Sequence, residues 1–129
     1  GHRRSGSLAV EWALVEIGAD YEIRDIDLAT GAQRDDTYAA VNPQRKIPVL
    51  VTPAGETLTE SAAILLTLEA RHLDAGLLPQ DQAVRAQALR WLLFVVTEIY
   101  PMVEIKDNPE RFAPNPNVAP GVREVACAL

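Results

Sequence analysis

The run Lys46-Ile47-Pro48-Val49-Leu50-Val51 constrains this chain more than any other stretch. It is rich in β-formers, yet Pro48 has no N–H to give a ladder and fixes its own φ. The proline therefore belongs at a strand's start or in a turn. Asn42-Pro43 punctuates the chain just upstream, and Pro53-Ala54-Gly55-Glu56 reads as a turn just downstream. Thr57-Leu58 then suggests a short second strand, and Glu60-Ser61 stands immediately before the helical run Ala62 to Leu73. A hairpin feeding a helix is expected here.

Upstream, Leu8, Ala9, Trp12, Ala13 and Ile17 recur at helical spacing, with Ser5 or Ser7 able to cap the start and Gly18 to close the end. Tyr21 to Leu28 alternates with period two on each side of a phase shift at Arg24-Asp25, which predicts an edge strand with a bulge. Thr30 to Ala40 shows little periodicity and reads as a loop with short helical turns. Downstream, Leu77 to Asp81 is a linker. Ala83 to Tyr100 follows as a long helix with an apolar stripe of Ala86, Leu89, Leu93 and Val96. Past Tyr100, Pro101, Pro109, Pro114, Pro116 and Pro120 interrupt the chain before a weak helical pattern resumes from Val122 to Leu129. Trp12 and Trp91 read as core residues, and Tyr100 as a packing residue.

Composition narrows the function classes. At 129 residues, 48% of them hydrophobic and 23% charged, the chain suits one sizeable core with an appendage. Twelve basic against eighteen acidic residues give a net charge of -6, so no positive field attracts nucleic acid. The apolar stretches Ala62 to Leu68 and Trp91 to Val96 are too short to cross a bilayer, and no basic-then-apolar leader is read at the start. Cys127 is the single cysteine, and His2 and His72 are the only histidines, which argues against disulfides and metal sites and fits a reducing, cytoplasmic compartment. Cys127 and His72 read as an inert thiol and a surface residue, and Arg3 and Arg4 as solvated charges.

Four segments, in their order and spacing, resemble the cytosolic glutathione transferase family. They are Ser5-Gly6-Ser7-Leu8-Ala9-Val10 before Trp12-Ala13-Leu14, then Asn42 to Leu50, then Leu58-Thr59-Glu60-Ser61-Ala62-Ala63-Ile64, and last Leu78-Pro79 before Arg85 and Arg90-Trp91. The resemblance implies an α/β thioredoxin-like N-terminal domain over residues 1–78 and an all-α C-terminal domain over 79–129. It also implies a first strand ahead of Ser5, where only Gly1 to Arg4 stand, and helices beyond those present. An incomplete version of the fold, lacking that strand and part of the helical domain, is expected.

The same resemblance assigns roles. Pro48 would be cis and the Ile47 backbone would pair with the peptide of glutathione; on residue chemistry alone, an ordinary trans proline at a strand edge is far more common. Ser61 would hold the γ-glutamyl carboxylate and Glu60 its ammonium, where local physics also allows a plain helix cap. Lys46 would approach the glycyl carboxylate, or is simply solvated. Ser5, with Ser7 as second choice, would stabilise the glutathione thiolate as catalytic hydroxyl. Gly6 occupies the place where bacterial cysteine-type members carry their cysteine, and Glu98, Tyr100 and Pro101 would lie near the groove for an electrophile or a dimer partner.

The expected activity is addition of glutathione thiolate to a small hydrophobic electrophile by a homodimer, with glutathione as co-substrate and no metal. The alternatives are a glutathione-dependent isomerase, a disulfide reductase, and a noncatalytic glutathione-binding or scaffold protein.

Overall fold

The computed structural model describes residues 5–128, so Gly1 to Arg4 and Leu129, including Arg3 and Arg4 and the position ahead of Ser5 where a first strand is expected, lie outside the described residues. The chain divides into two compact units that meet between Gln80 and Asp81.

The first unit begins with helix α1 (Ser7–Glu16), followed by a short 3-10 turn (Ala32–Arg34) and α2 (Asp36–Ala39). Strands β1 (Val49–Val51) and β2 (Thr57–Thr59) then lead into α3 (Ser61–Arg71) and a second 3-10 turn (Leu73–Ala75). The strands pair antiparallel with Val49 opposite Thr59, Leu50 opposite Leu58 and Val51 opposite Thr57. Between them Gly55, at φ 82°, donates its N–H to the Thr52 carbonyl at 2.9 Å, as the expected turn requires.

The core is the contact between α1 and α3. Val10, Ala13 and Leu14 of α1 meet Ile64 and Leu68 of α3, and Ile17, Leu50, Leu58 and Leu77 pack around them. Residues 10, 13, 14 and 17 form one stripe at the spacing of a helix with about 3.6 residues per turn. Trp12 falls on the opposite side and is 66% exposed, so it is not the core residue its apolarity suggests. Periodicity locates a stripe only when its phase is read correctly, and small Val10 and Ala13 mark the packed face here.

Helix α1 closes with a Schellman arrangement. Gly18 takes φ 64° and donates to the Val15 carbonyl, while Ala19 donates to Leu14, both at 3.0 Å. At the other end Gly6 is the N-cap and no side chain caps the helix; Ser7 is instead its first residue. Tyr21 to Leu28 is the second departure. Among the described residues the only ladder is β1 with β2, and this alternating segment belongs to no strand, with Tyr21 and Ile23 exposed. Alternation supplies two faces, but a strand also needs a partner edge for its backbone groups.

In the second unit, Asp81 caps α4 (Gln82–Phe94), its Oδ1 accepting from the N–H groups of Ala83 and Val84 at 3.0 Å. The helical path then widens into a π turn (Val95–Ile99) and continues as α5 (Tyr100–Asp107). Pro101 therefore does not end the helix, contrary to expectation. It sits in the first turn of α5, where its missing N–H is tolerated, next to a backbone already widened by the Tyr100 N–H bonding to the Val95 carbonyl. Short 3-10 turns (Pro109–Arg111 and Pro116–Val118) lead to α6 (Ala119–Ala128), which packs on α5.

The apolar stripe of α4 also differs from the expected one. Ala88, Leu89, Leu92 and Val96 are half-buried, whereas Ala86, Leu93 and Trp91 are exposed. Trp91 stacks edge-on against Phe94 at 5.6 Å and receives the Arg90 guanidinium on its face at 4.3 Å. It is a surface cluster and not core.

Two measurements check this packing. Ile64 is fully buried, so Ile64→Ala is expected to cost about 2–5 kcal/mol in urea unfolding. A Cβ at Gly18 meets no atom within 4 Å, so Gly18→Ala is expected to lose only the left-handed backbone term, about 1–2 kcal/mol.

Candidate functional site

Three chain segments of the first unit converge on the backbone of Gly6. A Cβ built there would lie 3.1 Å from both Cβ and Oγ of Ser61 and 3.5 Å from Cδ of Pro48. The start of α1, the residue preceding β1 and the first residue of α3 thus meet at one place, and the lack of a side chain at Gly6 permits the approach. Ser5 and Ser7 flank Gly6, and their hydroxyls hydrogen-bond to each other. The Ser5 Oγ also accepts from the Ser7 N–H at 3.3 Å.

Ser61 is buried at the start of α3, where the first N–H groups of a helix point outward without intrahelical acceptors. No side chain caps this helix end, so the plain-cap alternative for Glu60-Ser61 finds no hydrogen bond to support it. Glu60 takes φ 64° and ψ 114°, a left-handed value for a residue with a side chain, while its carbonyl accepts the Ile64 N–H at 2.9 Å. Such a conformation costs on the order of 1–3 kcal/mol and persists only where the surroundings fix it. Its effect is to turn the chain sharply from β2 into α3 with Ser61 inward and the Glu60 side chain exposed.

The Ile47–Pro48 peptide bond is cis, and both residues are half-buried. The loop leading to it is held from behind. Buried Asn42 donates its Nδ2–H to the Lys46 carbonyl at 2.7 Å and accepts the Gln44 N–H on its Oδ1 at 3.0 Å. The Tyr38 hydroxyl donates to the same Lys46 carbonyl at 2.8 Å, and burial raises the Tyr38 pKa above the usual phenolic value. Arg45, at φ 56°, bonds through its guanidinium to the Arg34 carbonyl and, at 3.0 Å, to the Asp36 carboxylate. The Lys46 side chain is exposed.

Of the residues expected to form a site, the structure brings Ser5, Ser7, Pro48 and Ser61 to the Gly6 notch, with Ile47 and Glu60 adjacent in the chain. Tyr100 and Cys127 belong to the second unit and are exposed. His72 is an exposed residue at the end of α3. Asn42 and Tyr38 were not expected to matter beyond a turn and a loop. Asn-Pro ahead of an interrupted β run was the available signal for Asn42, while nothing local marks Tyr38. Among the described residues no group of His, Cys, Asp and Glu could hold a metal ion, and no helix is long and apolar enough to cross a membrane.

Comparison with known proteins shows the family and the fold. The profile of the glutathione S-transferase N-terminal domain matches residues 6–71. A probable maleylacetoacetate isomerase of Caenorhabditis elegans is 36% identical over 104 residues, covering 81% of this chain and 48% of the relative. Glutathione S-transferase GstA of Escherichia coli O157:H7 is 33% identical over 114 residues, covering 84% of this chain and 56% of the relative. The chain thus spans about half the length of the curated relatives it matches. A glutathione transferase homologue from Sulfitobacter, solved with bound glutathione, superposes with a TM-score of 0.89 at 26% identity, covering 95% of this chain and 59% of that one. The architecture is the α/β thioredoxin-like N-terminal domain of that family followed by helices, here with a sheet of two strands among the described residues. On the matched segment and the shared fold together, the chain belongs to the glutathione S-transferase family.

Proposed function

We propose that the Gly6 notch binds glutathione and that the protein adds the glutathione thiolate to a small hydrophobic electrophile. The observation that carries this reading is the close approach of the Gly6 backbone to Ser61 and to the cis Pro48, which brings two helix starts and a constrained backbone together at one place. A tripeptide with a carboxylate at each end and a thiol between them suits that set of donors.

In this reading the γ-glutamyl carboxylate lies at the start of α3, where the Ser61 hydroxyl and the first-turn N–H groups donate to it and the helix dipole favours its charge. Glu60 meets the ammonium. The Ile47 backbone pairs with the peptide, and the Lys46 ammonium approaches the glycyl carboxylate. The sulfur then lies toward Ser5 and Ser7, whose mutual hydrogen bond polarises the hydroxyl that donates to the thiolate. Ser5 takes the direct role and Ser7 supports it. Holding the nucleophile in this way lowers the entropy cost of attack, and the hydroxyl contact favours the anion over the thiol. At Gly6 the chain itself has no thiol, so the disulfide-reductase alternative has no support at this position.

In this reading the protein is cytoplasmic, serves in detoxification and forms a homodimer. The exposed apolar residues of α4, the π turn and α5, among them Trp91, Leu93, Phe94, Ile99 and Val103, support association with a second copy. A second activity is favoured by a specific likeness: a probable maleylacetoacetate isomerase of Caenorhabditis elegans and a maleylacetoacetate isomerase of Pseudomonas aeruginosa are 36% and 34% identical to this chain. A glutathione-dependent isomerisation would use the same thiolate and regenerate it.

Glutathione binding measured by calorimetry tests the site. Ser61→Ala is expected to weaken it roughly tenfold, since a hydrogen bond to a charged group is lost. Ser5→Ala is expected to leave binding within about threefold while lowering turnover of a chlorinated aromatic electrophile at least roughly tenfold. A Ser61→Ala variant that binds as tightly as the parent would sink the assignment of the carboxylate. Product analysis with a cis-alkene diacid separates isomerisation from transfer.

A further inference from the structure

We propose that Tyr38 and Asn42 act together as positioning residues for glutathione, by fixing the peptide plane between Lys46 and Ile47. This rests on the functional reading above, in which the Ile47 backbone pairs with the ligand's peptide.

The Lys46 oxygen has two lone pairs and receives two donors, the Tyr38 hydroxyl at 2.8 Å and the Asn42 amide at 2.7 Å. In a trans peptide the carbonyl and the following N–H lie in one plane and point in opposite directions. The only cis bond among the described residues is Ile47–Pro48, so the Lys46–Ile47 bond is trans. Two donors on the carbonyl therefore turn the Ile47 N–H away from Tyr38 and Asn42. Because Pro48 has no N–H, that group is the single backbone donor that residues 47 and 48 can offer a ligand.

The two donors reach the carbonyl from different supports. Asn42 is buried, and its Oδ1 is engaged by the Gln44 N–H while the Arg45 N–H bonds to its carbonyl at 2.8 Å, so its amide orientation is fixed by the turn it closes. Tyr38 comes from α2, whose end is tied to the same turn by the Asn42 and Val41 N–H groups on the Tyr38 carbonyl at 2.9 Å. Arg45 fastens the loop a third time through Asp36 and the Arg34 carbonyl. Without one of the donors the 46–47 peptide can rotate, and a ligand that needs one orientation then binds only the fraction of molecules that present it.

Two near-isosteric variants test this. Tyr38→Phe keeps the ring and removes the hydroxyl. Asn42→Asp keeps the acceptor for the Gln44 N–H and removes the donor to Lys46. Each is expected to move the Ile47 amide resonance of the ligand-free protein and to weaken glutathione binding by calorimetry about threefold to tenfold, with circular dichroism unchanged. Parent-like affinity and an unmoved Ile47 resonance in both variants would overturn the proposal. Weakening by Asn42→Asp alone would remove Tyr38 from it. A parent protein that fails to bind glutathione overturns the functional reading instead, and is told apart because it appears before any substitution is made.

Discussion

The close approach of α1 to α3 governs what the first unit can do. Ile64, with no exposed surface, sits between the α1 stripe and the hairpin, and one turn earlier in the same helix Ser61 meets the Gly6 backbone. Packing around Ile64 sets the separation of the two helices, and the notch inherits that separation. A side chain at Gly6 would need its neighbours to shift by a few tenths of an ångström, because the virtual Cβ lies 3.1 Å from Ser61. Close-packed interiors transmit such shifts with little absorption. The left-handed Glu60 belongs to the same arrangement: its cost is offset by burying Ser61 and Ile64 on the inner face of α3, an orientation that an ordinary extended residue at that corner would not produce.

The loop from Asn42 to Pro48 is constrained by a different means. It has no ladder of its own and little apolar burial, so its shape depends on polar bonds to side chains and carbonyls: Asn42 on both of its amide atoms, Tyr38 on the Lys46 carbonyl, Arg45 on Asp36 and Arg34. Bonds of this type contribute about 1 kcal/mol each and specify direction more than they add stability. The notch therefore has one wall set by packing and another set by hydrogen bonding.

This division explains what was legible in the sequence. The hairpin, the α3 start and the linker follow from proline and glycine positions and from helical periodicity, all of which are local. The Gly18 closure of α1 is legible for the same reason. Trp12 and Leu93 were misplaced because an apolar stripe on a short helix has two plausible phases, and only the partner helix selects one. Tyr21 to Leu28 carried strand alternation without a partner edge among the described residues, and Pro101 carried a stop signal that a widened turn absorbs. At the site, Ser61 and Pro48 were visible through a resemblance of motif and spacing. The Tyr38 hydroxyl on a carbonyl eight residues away was not, because nothing in a short loop sequence states where a side chain reaches.

Gly6 lies where the packed wall and the hydrogen-bonded loop meet. Its neighbours Ser5 and Ser7 place two hydroxyls at the start of α1, whereas a thiol at position 6 would set its Cβ against Ser61. On the proposed reading the nucleophilic sulfur arrives with the ligand, and the chain needs only donors that stabilise it and backbone that aligns it. A glycine suits that division of labour: it carries no thiol of its own, and it lets Ser61 approach the backbone between the two serines. On the same reading a ligand that carries a carboxylate to Ser61 and a sulfur to Ser5 is held at two points, which orients its thiol in a way that a simple thiol could not share.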